Sequence, residues 1–227
     1  MKIKSIIILI LSIPIVQCCI NRDRPNQLAP DVSESDTLKI EETAEIFDTI
    51  VYSKVEKNSG KYLWIYSWNK YVSDEIMKQK DIFIGKDSIY KQDLDKLCPN
   101  YYNCSEKEKI ALWTLLFASI AKYESNFDPN CRFHEPPPLN TYSEGLLQLS
   151  YGDETRYKNV PLDSQKQNIL VPEVNLKTAV VIFAKQLEKR KSIFTNKHFY
   201  WSVLTNKQND IIKFFQDNAA ELNTCNK

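Results

Sequence analysis

The sequence predicts a mainly α-helical domain built around one buried helix and stabilised by disulfides. Three observations carry this expectation. A capping-box pattern, Ser105-Glu106-Lys107-Glu108, opens the apolar run Ile110–Ala121. A second long helical pattern opens at Pro172 and closes on Lys189-Arg190-Lys191. Four cysteines, Cys98, Cys104, Cys131 and Cys225, lie beyond an N-terminal export signal.

The export signal comes first in the chain. Lys2 and Lys4 precede an unbroken apolar run from Ile6 to Leu11, continued by Ile13, Ile15 and Val16, and then Gln17-Cys18-Cys19. Such a run is too short to span a bilayer core of ~30 Å as a helix. Cysteine directly after it resembles a bacterial lipoprotein signal, in which the new N-terminal cysteine carries the lipid. Gln17 is bulkier than that pattern prefers before the modified residue, so Cys19 is the expected attachment point, with Cys18 the alternative. Residues 1–18 are then the signal peptide. Residues 19–41, with Arg22, Asp23, Arg24, Pro25, Pro30, Asp31 and few large apolar groups, are expected to be a flexible tether.

Residues 42–86 form an extension whose structure the pattern leaves open. Phe47, Val51 and Val55 follow at helical spacing, while the aromatic run Tyr62-Leu63-Trp64-Ile65-Tyr66-Ser67-Trp68 fits a strand or a helix edge. This segment is either a small subdomain or helices packed on the main one. The main domain is expected over residues 87–227.

Charge excludes one large class of function. The chain has 30 Lys+Arg against 29 Asp+Glu, and loss of Lys2 and Lys4 with the signal leaves 28 against 29. A near-neutral chain gives no electrostatic case for binding nucleic acid. His134 and His198 lie far apart without ligand-spaced partners, so no metal site or cofactor is expected.

The run Ile110–Ala121 is apolar nearly all round, which predicts the buried centre of the fold. Trp113, Leu116, Phe117, Ile120 and Glu124 share one face at spacings of three and four, so Glu124 extends an apolar stripe. Desolvation and the negative end of the helix dipole would both raise its pKa. A carboxyl kept protonated near neutral pH is what a glycosidic oxygen needs from a proton donor. The competing reading has Glu124 exposed at a frayed helix end or paired with Arg132.

Downstream, Tyr142-Ser143-Glu144 leads into Gly145-Leu146-Leu147-Gln148. A glycine there allows close backbone approach, and a glutamine offers both donor and acceptor groups to a sugar. Glu124-Ser125-x-Phe127-x-Pro129 followed by Ser143-x-Gly145-Leu146-x-Gln148 resembles the catalytic core of soluble lytic transglycosylases and goose-type lysozymes. Pro172-Glu173-Val174-Asn175 matches a further family segment, and the resemblance runs from about Leu97 to Cys225.

The resemblance implies a lysozyme-like helical domain with Glu124 as general acid and base, and Ser143, Gly145 and Gln148 lining a sugar cleft. Asn175 either faces that cleft or hydrogen-bonds the start of its helix. Tyr200, in Phe199-Tyr200-Trp201, stands where many relatives carry an Ala-Tyr-Asn tyrosine; that tripeptide is missing here, and core packing is the competing role. Asp128, Glu135, Glu144, Asp153 and Glu154 lie nearby, and none stands out as a second catalytic carboxylate. The expected reaction is therefore the one-glutamate route, in which the muramic acid C6 hydroxyl closes a 1,6-anhydro ring, with lysozyme-type hydrolysis as the second choice.

Disulfides are expected after export. A helix of about twenty residues separates Cys104 from Cys131 and spans ~30 Å, which disfavours that pair. The expected bridges are Cys98–Cys104 and Cys131–Cys225. The chain as a whole reads as a monomeric, lipid-anchored protein on the periplasmic face of an envelope membrane, expected to be the outer one, acting on peptidoglycan glycan strands. Two rival readings remain. One is a binding module that holds glycan or a protein without turning it over, and the other is a structural lipoprotein.

Overall fold

In the computed structural model, residues 64–195, 199–220 and 225 are described. The signal, the tether, both lipidation candidates Cys18 and Cys19, the Phe47–Val55 pattern and His198 lie outside them. The described chain is mainly helical, as the sequence predicts, and is consistent with a lysozyme-like domain. Its elements run α1 (Tyr66–Lys78), α2 (Lys91–Leu97), α3 (Glu106–Glu124), β1 (Arg132–His134), β2 (Tyr142–Glu144), α4 (Gly152–Arg156), α5 (Pro172–Arg190), α6 (Val203–Asn206) and α7 (Gln208–Ala219). A π turn at Asp81–Gly85 and 3₁₀ turns at Asp87–Tyr90 and Tyr101–Asn103 join the first helices.

The central helix is α3. Its capping box forms as the sequence spells it: Glu108 N donates to Ser105 Oγ, and Ser105 N donates to Glu108 Oε2 at 2.6 Å. Every residue from Leu112 to Ala121 is buried, so this helix has no solvent face along its middle. It packs against α1 on one side and α7 on another, and α1 packs in turn on α5. Phe83, Tyr90 and Phe183 surround Trp113, whose indole N–H donates to Phe83 O and Tyr101 Oη.

Among the described residues the core already includes Trp64, ahead of the boundary expected near residue 87. Of the two readings left open for the extension, residues 64–86 follow the second: they are helical and packed into the main core. Trp64 donates to Asn69 Oδ1 at 2.7 Å and sets its ring edge-on to Trp68 and to Phe127. Within the aromatic run, Trp64 and Ile65 thus lead into α1 and Tyr66-Ser67-Trp68 begin its first turn.

The disulfide pairing differs from the expectation. Cys98 bridges Cys225, so neither Cys98–Cys104 nor Cys131–Cys225 forms. The reason is the path of α7, which packs on α2 and donates from Gln216 Nε2 to Lys96 O, returning the C-terminus to the end of α2. Cys104 and Cys131 are buried thiols. Cys104 Sγ donates to Asn100 O, and burial pushes its pKa up to about 11.

Candidate active site

Glu124 is the last residue of α3, and the turn after it is tightly specified. Ser125 Oγ donates to Ala121 O, Asp128 N donates to Ser125 O, and Asn130 N donates to Asp128 Oδ1. Asn126 and Phe127 both take left-handed backbone conformations, with φ of 51° and 65°. That geometry is costly for a bulky residue and persists only where the surroundings over-determine it. Here the Phe127 ring is fully buried between Trp64 and Phe214, which supplies the compensating contacts. The chain reverses at once and leaves Glu124 at the rim of the core.

Neither competing reading of Glu124 describes the structure. The residue is half-buried, not frayed into solvent, and Arg132 pairs instead with Glu144 at 2.7 Å. Burial of the Glu124 carboxyl is the larger effect on its protonation, and the negative charge of Glu135 adds to it. Together they push its pKa from 4.5 up to about 8. Among the described residues no hydrogen bond or ion pair to the carboxyl offsets these effects. A desolvated carboxyl that is not sealed away, and that has no partner among the described residues, is suited to hold a proton at neutral pH and deliver it.

Glu135 enters from the hairpin. β1 and β2 pair antiparallel, with Phe133 opposite Ser143 and His134 opposite Tyr142, and Glu135 N donates to Thr141 O at 2.8 Å. Side chains alternate across a strand, so Phe133, Glu135 and Ser143 share one face. Ser143 Oγ donates to Glu135 Oε1 at 2.6 Å on that face. Among the expected sugar-cleft residues, Ser143 is thereby tied to the carboxylate that acts on Glu124.

The other candidates have their polar groups turned into the protein. Gly145 sits at φ +76°, and a Cβ there would lie 2.4 Å from Asn175 Nδ2. The glycine is required by close approach of the protein to itself. Gln148, also left-handed at φ 48°, donates from Nε2 to Gly145 O and Cys131 O, closing the base of the hairpin. Asn175 bonds the same loop and is 1% exposed. Tyr200 donates to the buried Asp153 and packs against Tyr157 and Trp201.

The residue that sequence reasoning passed over is Glu135. It stood among five nearby carboxylates, and only the pairing of β1 with β2 distinguishes it. A usable signal was present: if Arg132–His134 and Tyr142–Glu144 pair about the Pro136-Pro137-Pro138 tip, Ser143 falls beside Glu135.

No family model matches the chain, and no curated protein matches it. Solved structures of Bd0314 DslA, a Bdellovibrio protein, are similar in part. The wild-type form 2 aligns with a TM-score of 0.49 and 21% identity over 67% of this chain and 90% of that one. Two Glu-to-Gln variants of the same protein align with TM-scores of 0.49 and 20% identity over the same shares. A likeness at this level assigns neither family nor activity to the chain.

Proposed function

We propose that this domain cleaves the glycan strands of peptidoglycan at the MurNAc–GlcNAc bond, with Glu124 as general acid. The observation that carries this reading is the half-buried Glu124 at the end of the central helix, unpaired among the described residues, with its pKa pushed up to about 8. The sugar substrate rests on the resemblance of the Glu124–Pro129 and Ser143–Gln148 segments to the transglycosylase and goose-type lysozyme core. Glu124 protonates the bridging oxygen, the leaving hydroxyl departs, and an oxocarbenium-like centre develops at the muramic acid anomeric carbon.

Two routes complete the reaction. The one-glutamate route needs no second carboxylate, since Glu124, now ionised, draws the proton from the C6 hydroxyl as the anhydro ring closes. Glu135, charged and within electrostatic reach of Glu124, supports hydrolysis instead, because a second carboxylate can activate water or steady the developing cation. The Ser143 hydroxyl holds one of its oxygens in place. We rank hydrolysis first on this ground and transglycosylation second on the resemblance.

Mass spectrometry of muropeptides released from purified sacculi tests the proposal. Reducing ends support hydrolysis, and ends lighter by one water support transglycosylation. No released muropeptide would leave a glycan- or protein-binding module as the better reading. The setting we propose is an exported protein tethered to an envelope membrane through Cys19 or Cys18. Among the described residues no helix is long and apolar enough to cross a membrane.

A further inference from the structure

Asn175 lies in the first turn of α5 and spends its amide entirely on one loop and its neighbour. Nδ2 donates to Glu144 O and to Ile169 O, each at 3.0 Å, and Oδ1 accepts from Leu147 N at 2.9 Å. Both N–H donors are therefore consumed within the protein, leaving none for a sugar. Glu144 and Leu147 bracket Gly145, whose missing Cβ makes room for that same amide. The loop is also held by Trp201, whose indole N–H donates to Leu147 O at 2.7 Å.

What the loop holds is the base of the hairpin. Glu144 and Leu149 exchange backbone hydrogen bonds at 2.8 and 2.9 Å, and Gly145 N donates to Cys131 O at 2.8 Å. Ser143, one residue before Glu144, donates to Glu135. An unbroken run of short polar contacts thus leads from α5 to Glu135, the carboxylate whose charge acts on Glu124. The geometry points to Asn175 as a positioning residue: through the Glu144–Leu149 loop it sets where the hairpin presents Ser143 and Glu135 to Glu124. The inference rests on the reading above, in which Glu124 and Glu135 serve one glycosidic bond.

A positioning role separates from a substrate contact in kinetics. Displacing a catalytic group by about 1 Å costs on the order of 10²-fold in rate, whereas loss of a ground-state contact appears in KM. Two variants are compared with wild type, Asn175→Ala and the milder Trp201→Phe, each checked for folding by near-UV circular dichroism. The first readout is kcat and KM for muropeptide release from sacculi. The second needs no substrate: a carbon-13 NMR titration of the Glu124 carboxyl, on which Glu135 is the acting charge among the described residues.

The expected result for folded Asn175→Ala is a kcat lowered on the order of 10²-fold with KM little changed. The Glu124 midpoint moves down from about 8 as the Glu135 charge withdraws. Trp201→Phe shifts both readouts the same way by less, and decides the matter if Asn175→Ala does not fold. A folded variant with an unmoved Glu124 midpoint overturns the inference, as does a raised KM at unchanged kcat. If wild type itself releases no muropeptide, the glycan reading fails while the titration still judges the positioning role.

Discussion

Replacing Glu124 with glutamine removes a carboxyl whose ionisation opposes folding. Its pKa is 4.5 when solvated and about 8 in the folded protein, so the native state binds the proton more tightly than the unfolded chain does. The sign follows from linkage. Stability from this group is fully present below the solvated value and is lost as pH rises through the folded value. At about 1.4 kcal/mol per pH unit, the loss reaches about 3 kcal/mol near pH 7 and approaches 5 kcal/mol above pH 9, an upper bound for a half-buried side chain.

Glutamine cannot ionise and is close in shape to the protonated acid. The stability difference between Glu124→Gln and wild type should therefore be near zero at about pH 4 and grow in favour of the variant up to about pH 9. Urea unfolding of both proteins across that range measures it, and subtracting the two curves cancels groups that titrate alike in both. A difference independent of pH, or one that favours wild type as pH rises, would refute the argument that Glu124 is desolvated and unpaired.

Other outcomes follow from the same geometry. The alkaline limb of kcat/KM should fall near pH 8 with the deprotonation of Glu124, and Glu135→Gln should move it to lower pH without abolishing it, because burial is the larger cause; pH–rate profiles check both. Converting Cys98 and Cys225 together to serine opens a link across 127 residues and should cost up to about 5 kcal/mol in urea unfolding, whereas Cys104→Ser should leave the bridge intact by thiol counting. Gly145→Ala should destabilise by about 1–3 kcal/mol, since it adds a Cβ against Asn175 in a left-handed conformation; thermal unfolding measures the loss.

How far the sequence was legible depends on the range of the interactions involved. α3 could be read in full because its cap, its apolar run and its terminal glutamate are all local signals. Glu124 followed from that helix by counting turns. The β1–β2 hairpin escaped because strands of three residues carry too little alternation to stand out, and with it went the pairing that singles out Glu135. Gln148 looked like a sugar ligand because its chemistry suits one, but side-chain direction depends on its left-handed backbone, which residue type does not encode. The Cys98–Cys225 bridge depends on α7 crossing α2, a tertiary fact to which cysteine spacing is blind.

The central claim is that a protonated Glu124 opens a glycosidic bond in peptidoglycan. It is tested most directly by incubating purified sacculi near pH 6 with wild type and with Glu124→Gln, each verified as folded, and following muropeptide release. Release by wild type and loss by at least about two orders of magnitude in the variant is the predicted result. Release at equal rates, or from neither protein, would contradict it.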